Sequence, residues 1–416
     1  MSYIHRQITP YLEALLSAMP AVTLLGARQV GKSTLVGDIA KRLNAEYISL
    51  DSITELAAAR ADPQAYINNL PKPIVIDEIQ RAPELFLPIK YDIDQHRSPG
   101  RYLFTGSANV LSLPKIADSL AGRMGLLQLY PLSQTEILGT SYNAVDALFA
   151  KDILSSGRDI QATTKQDIVQ RIVAGGYPDL LGKQGFVRQN WLESYITSVT
   201  QRDIRELADI EGLLEIPKLL WILAARSATM HNVSAIAREA QMPYNTLKRY
   251  LSLLQATFML YTLPAWTQNL SKKATKSPKV MLSDTSLICG LLRMDVELLE
   301  ENGSVLGRLL ETFVTLELQK QASWSKELPK LHHYRSNDQK EVDVVLEGRQ
   351  GRLLGVEVKL ARSLSEKDFR GLRDLEAHSG GNFFRGIVFA MLDRVTAFSD
   401  SLFAVPIQYL WQAPTS

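Results

Sequence analysis

The chain has 416 residues, 46% of them hydrophobic and 22% charged, which excludes wholesale disorder, a collagen-like repeat and a coiled-coil rod. Lysine plus arginine number 46 against 44 aspartate plus glutamate, so a net charge of +2 selects no class of partner, and a nucleic-acid surface must arise from local clustering. One cysteine, Cys289, excludes a disulfide framework and a cysteine-rich zinc site and makes a reducing cytoplasm the simplest home.

At about 100–200 residues per domain, this length predicts two to four domains. No signal peptide is expected at Met1–Thr9, and no apolar run of about 20 residues predicts a membrane span. Over residues 1–145, short apolar runs alternate with helical stretches. The runs at Val22–Leu25, Tyr47–Leu50, Ile74–Ile76, Tyr102–Phe104 and Leu126–Leu129 read as buried strands of a parallel sheet, an α/β pattern. A helical region is expected over 146–225, punctuated by Gly175, Gly176 and Pro178. A further unit is expected over 226–300, and a mixed α/β unit over 301–416 that opens on a helix at Leu306–Lys320 and closes on the apolar run Leu402–Tyr409.

The first strand runs into Gly26-Ala-Arg-Gln-Val-Gly31-Lys32-Ser33, a GxxxxGK[ST] match followed by a helical stretch at Thr34–Leu43. Gly26 and Gly31 let the backbone turn around a phosphate, and the helix adds its positive N-terminus. Gly26, Ala27, Arg28, Gln29, Val30, Gly31, Lys32, Ser33 and Thr34 are therefore the candidate nucleotide-binding residues. Lys32 supplies charge for the β- and γ-phosphates, and Ser33 a hydroxyl for Mg²⁺. The strand Pro73–Ile76 ends in Asp77 and Glu78; Asp77 is expected to hold the Mg²⁺ shell and Glu78 to act as general base on water. Ser107, at the tip of Tyr102–Phe104, is a candidate γ-phosphate sensor or a helix cap. Arg123, in Ser119-Leu-Ala-Gly-Arg123, is a candidate arginine finger toward a neighbouring subunit, with a plain ion-paired arginine as the other reading.

The same motifs are followed by Gly175-Gly-Tyr-Pro178, Gln201-Arg-Asp-Ile204, Val280-Met-Leu-Ser-Asp284, Gly307-Arg-Leu-Leu-Glu311, Glu341-Val-Asp343 and Glu357-Val-Lys359. This succession resembles a large prokaryotic family of AAA-type P-loop ATPases that carry a C-terminal domain of unknown function, number 4143. The resemblance covers essentially the whole chain. It implies an AAA-type core, a winged-helix middle and a nuclease-like C-terminal domain, hence a multidomain α/β fold with a restriction-endonuclease-like end. Ser107 departs from the Asn or Thr that many AAA-type ATPases have at that position.

In the middle, Asn232-Val-Ser234 can cap a helix over Ala235–Ala240, Gln241-Met-Pro243 makes a turn, and Tyr244–Leu254 reads as a second helix with Leu247, Leu251 and Leu254 on one face. Tyr244, Asn245, Lys248 and Arg249 fall toward the other face. A strand at Phe258–Leu263 and a basic wing bearing Lys272, Lys273 and Lys276 complete a winged helix. In such a unit the second helix enters the major groove and the wing lies along phosphates; packing on protein is the alternative.

Toward the C-terminus, alternation places Glu357 and Lys359 on one face of a strand. Pairing with Glu341–Leu346 would bring Asp343 beside Glu357, with Glu311 as a third carboxylate. This spacing resembles the PD-(D/E)xK nuclease superfamily, with Val342 where proline often stands. It implies Glu311, Asp343 and Glu357 as metal ligands and Asp343, Glu357 and Lys359 as catalytic groups. A salt-bridged outer face of a hairpin, or a nuclease-like fold used only for binding, are the alternatives. His332-His333 read as a surface pair, Gln201-Arg202-Asp203 as an ion pair along a helix face, and Cys289 as a core filler.

Two functions follow as expectations. The first is an ATP-hydrolysing, Mg²⁺-dependent machine that remodels or translocates DNA, branched DNA included, with metal-dependent cleavage as an added activity; it would act as a homo-oligomer, a ring among the options, away from membranes. The second is an ATP-controlled switch whose C-terminal modules bind a partner without cleavage.

Overall fold

The computed structural model describes residues 3–108, 122–151, 163–207, 213–227, 233–268 and 277–413. The expected basic wing at Lys272, Lys273 and Lys276 lies outside the described residues. Five parallel strands form the first sheet: β1 (Ala21–Leu25), β2 (Glu46–Ser49), β3 (Ile74–Asp77), β4 (Tyr102–Gly106) and β5 (Met124–Gln128), in the order β2-β3-β4-β1-β5. β1, β3 and β4 are buried along their whole length, which is why they read as unbroken apolar runs rather than alternating ones. All five strands run the same way, so the segments leaving β1, β3 and β4 emerge at one edge. That edge is where open α/β sheets hold ligands.

The middle of the chain is helical, with an antiparallel strand pair near its end. The helices Val233–Ala240 and Tyr244–Ala256 are joined by a turn, with Pro243 capping the second, and are followed by β6 (Leu260–Leu263) paired with β7 (Lys279–Leu282). Leu247, Leu251 and Leu254 are buried, as their spacing predicts.

The C-terminal part begins with the helix Gly303–Ala322 and builds a six-stranded mixed sheet. Its strands are β8 (Lys330–Arg335), β9 (Glu341–Glu347), β10 (Leu353–Val358), β11 (Phe383–Ala390), β12 (Thr396–Ala397) and β13 (Leu402–Pro406), in the order β12-β13-β11-β10-β9-β8. Leu372 and Leu375 of the helix Arg370–His378 pack into the sheet's second apolar cluster.

The parts are not separately cored. One apolar cluster includes Leu24 and Phe104 of the first sheet, Leu220 and Leu287 of the middle, and Leu310 and Phe389 of the C-terminal part. The backbone also joins them: Trp266 N–H donates to the His333 carbonyl at 2.6 Å, and His333 N–H donates to the Pro264 carbonyl at 2.9 Å. This corrects the expectation of a surface histidine pair. Residues 264–266 cover the outer strand β8, so His332 and His333 are both buried, with His332 Nε2 3.2 Å from Glu347 Oε2. Among the described residues, no helix is long and apolar enough to cross a membrane.

Candidate functional site

The turn after β1 is a backbone cradle. A Cβ on Gly26 would stand 2.2 Å from the Leu129 carbonyl oxygen, and Gly31 takes φ 97°, so both positions need glycine. Gly31 leads directly into the helix Lys32–Leu43, which points its free N–H groups at the cradle. Lys32 is buried, and its ammonium donates to the Gly26 and Ala27 carbonyls at 2.9 Å each. Burial pulls its pKa below the ordinary lysine range, against the pull of Glu78, Asp77 and Asp203.

Strand order explains how the second half of the site arrives. β4 lies between β1 and β3, so Thr105 and Ser107 stand between the cradle and Asp77-Glu78. Asp77 accepts hydrogen bonds from three hydroxyls: Ser33 at 3.2 Å, Tyr47 at 2.9 Å, and Thr105. Glu78 sits at φ 59°, a left-handed conformation uncommon for a non-glycine residue. Thr105 Oγ1 accepts from the Glu78 N–H at 3.0 Å, and the Gln80 amide bridges the Glu78 carboxylate to Ser107, 3.1 Å from its hydroxyl. Ser33 and Asp77 offer a hydroxyl and a carboxylate in contact, the hard oxygen donors that suit magnesium. Tyr47 was not anticipated from sequence; the signal was an aromatic residue in the neighbouring strand, which reads simply as core.

A second unanticipated contributor comes from far along the chain. Gln201-Arg202-Asp203 lies in a π-helical turn, Val199–Ile204, that packs on the cradle, and Gln201 also accepts from Arg205 along the same stretch at 3.5 Å. Arg28 Nε is 3.5 Å from Asp203 Oδ2, and Arg28 Nη1 donates to Ser198 at 3.1 Å. Arg202 meets Asp51 at 2.5 Å, and Arg81 meets the same carboxylate oxygen at 2.7 Å. π-turns recur at functional sites because they offset side chains from the regular helix face.

Arg123 forms an ion pair with Asp94 of its own chain at 2.6 Å; Ser119, Leu120 and Ala121 of its motif lie outside the described residues. On the middle helix, Tyr244, Asn245, Lys248 and Arg249 are exposed, and the Lys248 ammonium stands 4.7 Å from the centre of the Tyr244 ring. Cys289 is buried, which pushes its thiol up to about 12 and leaves it inert.

The C-terminal carboxylates do come together: Glu357 is buried, while Glu311 and Asp343 are partly buried. β9 and β10 pair antiparallel with Val344 opposite Val356, and the next position in that register sets Asp343 against Glu357. Asp343 Oδ2 accepts from the Val358 N–H at 2.9 Å, and Glu357 accepts from Lys359 at 2.9 Å. Burial, then the neighbouring Asp343, raises both Glu357 and Glu311 well above the usual carboxylate range. Lys279, the first residue of β7, completes the cluster: its ammonium is 2.6 Å from Glu311 Oε1 and 3.4 Å from Asp343 Oδ1. Glu311, Asp343 and Glu357 therefore do not fit the divalent-metal site expected of them. No group of three metal-ligating side chains is found among the described residues, and an ammonium already lies between two of these carboxylates.

Family models match the chain in three stretches: an AAA domain over residues 18–138, a domain of unknown function (DUF8612) over 165–298, and a domain of unknown function (DUF4143) over 306–410. The chain is 29% identical over 355 residues to the uncharacterized protein Mb2031c of Mycobacterium bovis and, equally, to Rv2008c of Mycobacterium tuberculosis, covering 85% of this chain and 73% of each relative. Among solved structures it is similar to the Walker-type ATPase PABY2304 of Pyrococcus abyssi, at 17% identity over 70% of this chain and 96% of that one, with a TM-score of 0.43. It is also similar to the Thermotoga maritima RuvB Holliday junction branch migration motor, at 19% identity over 63% and 90% of the two chains, with a TM-score of 0.29.

Proposed function

From an AAA-type P-loop ATPase domain joined to a C-terminal domain of family DUF4143, we propose that the chain hydrolyses ATP with Mg²⁺ and uses the cycle to remodel or translocate DNA, branched DNA included. The observation that carries the ATPase reading is the meeting of Lys32, Ser33, Asp77 and Glu78 at one edge of the parallel sheet, with Ser33 in contact with Asp77. In this reading the residues 26–34 hold the phosphates, and Ser33 and Asp77 would hold a magnesium ion, which would supply positive charge to the phosphates. Glu78 takes a proton from the attacking water, Ser107 orients around the γ-phosphate through Gln80, and Arg123 leaves Asp94 to reach a neighbouring subunit's nucleotide. The division into an ATPase (1–145), a helical region (146–225), a winged helix (226–300) and a nuclease-like domain (301–416) belongs to the same reading, as does a cytoplasmic homo-oligomer.

DNA contact rests on the exposed Tyr244, Asn245, Lys248 and Arg249, on the second of two helices that precede an antiparallel strand pair. The second reading is an ATP-controlled switch without cleavage, and it is favoured by Lys279 standing among the carboxylates that cleavage would need. The test is the ATPase rate with duplex, single-stranded and four-way DNA. Several-fold stimulation supports the DNA machine; the same rate with every DNA and with none supports the switch.

A further inference from the structure

We propose that Lys279 is the built-in cation of the C-terminal carboxylate cluster, a contact from the middle of the chain that closes the nuclease-like centre to divalent metal. The inference stands on the cluster's geometry and not on ATP hydrolysis or DNA binding.

Three carboxylates converge from three elements: Glu311 from the helix Gly303–Ala322, Asp343 from β9 and Glu357 from β10. Two ammonium groups answer them, and they differ in kind. Lys359 pairs with Glu357 and keeps 38% of its side chain exposed. Lys279 belongs to β7, outside the C-terminal sheet, and its side chain is only 5% exposed. An ammonium so far removed from water must be compensated by its neighbours. Here Glu311 and Asp343 compensate it and, despite burial, hold its pKa above the ordinary lysine range.

The distances decide between a bystander and a plug. A magnesium ion binds oxygen at about 2.1 Å and demands near-octahedral surroundings. Lys279 Nζ is 2.6 Å from Glu311 Oε1 and 3.4 Å from Asp343 Oδ1, so it fills the space between the two oxygens that such an ion would have to bridge. Two cations cannot share that space. Asp343 Oδ2 also accepts from the Val358 N–H, and Glu357 Oε2 from the Lys359 ammonium.

Lys279 is also held from behind. β7 pairs with β6 through Leu263 opposite Lys279, and the chain just after β6 is stitched to β8 by the Trp266 and His333 backbone hydrogen bonds. The plug is thus tied to the helix-strand unit proposed to contact DNA.

Mn²⁺ titration of the full-length, nucleotide-free chain by isothermal calorimetry and by electron paramagnetic resonance tests this. Lys279→Met should gain one Mn²⁺ site at least tenfold tighter than any in wild type, and Lys279→Met with Asp343→Asn should lose it. A folded Lys279→Met variant, checked by circular dichroism and melting, that gains no site would overturn the proposal. Should Lys279→Met not fold, the wild-type background decides: Asp343→Asn should leave Mn²⁺ binding unchanged. If wild type binds Mn²⁺ and Asp343→Asn abolishes it, Lys279 does not exclude the metal and the proposal fails.

Discussion

Asp77 shows how a single carboxylate is prepared for its work. Ser33, Tyr47 and Thr105 all donate to it, which fixes both oxygens before any ligand arrives. Glu78 beside it is held in a left-handed conformation by Thr105 of β4, which accepts from its N–H, and by Gln80, which donates to its carboxylate. Such strain persists where the surroundings over-determine it, and it turns the Glu78 side chain off the strand axis. Lys32→Ala should abolish ATP binding, because the cradle loses its buried cation; a fluorescent ATP analogue reports this directly. Glu78→Gln should keep ATP affinity while hydrolysis falls by about 10²–10⁴-fold, the usual worth of a positioned base. A Glu78→Gln variant hydrolysing at the wild-type rate would remove Glu78 from the mechanism.

Among the elements, the π-turn Val199–Ile204 is the one that ties the rest of the chain to the nucleotide cradle. Through Asp203 it grips Arg28, one of the cradle's own residues, and through Arg202 it reaches Asp51 just beyond β2. Asp203→Asn should therefore shift ATP affinity as well as melting temperature. A change in melting temperature alone, with the ATP dissociation constant unmoved, would mean that Asp203 only props the fold. The helix Tyr244–Ala256 makes the complementary case: one face packs into the core, and Lys248 and Arg249 are exposed on the other. Lys248→Ala with Arg249→Ala should weaken DNA binding and flatten the log–log salt slope by about 1.8, at about 0.9 per lost phosphate contact. ATP affinity should stay put. An unchanged slope would take this helix out of the DNA interface.

At the scale of the whole molecule, the parts meet at a buried ionic junction. Lys320 donates to the Leu132 carbonyl at 3.1 Å and to Glu317 at 2.9 Å, and lies 3.8 Å from Asp284. Asp284 accepts from the Gly176 N–H at 2.9 Å, and Glu317 from the Gln134 N–H at 2.8 Å. Segments just after the first sheet, from both ends of the middle region and from the C-terminal helix thus share one charge network, which favours their moving together rather than as beads on a string. Assembly is tested through Arg123. Arg123→Ala should slow hydrolysis without weakening ATP binding, and mixing it with Lys32→Ala subunits should restore part of the rate, one supplying the site and the other the finger. Absence of rescue in a confirmed oligomer would count against a finger acting between subunits and leave Arg123 as an ion-pair residue of its own chain.

What the sequence determined by itself was whatever is local. The cradle at 26–33, the carboxylates ending β3, the helix pair at 233–256 and the register that brings Asp343 to Glu357 are all written in short-range spacing, because turns, helix faces and strand alternation depend on near neighbours. Contacts between distant segments were settled only by the tertiary structure. Tyr47 reads as core until β2 is laid beside β3, and Gln201-Arg202-Asp203 reads as a helix face until it is packed on Arg28. His332 and His333 read as surface until residues 264–266 cover β8. Lys279 is the clearest instance. In sequence it is one more lysine in a basic, turn-rich stretch, and only the meeting of β7 with the C-terminal sheet puts its charge between Glu311 and Asp343, where burial makes the pairing matter.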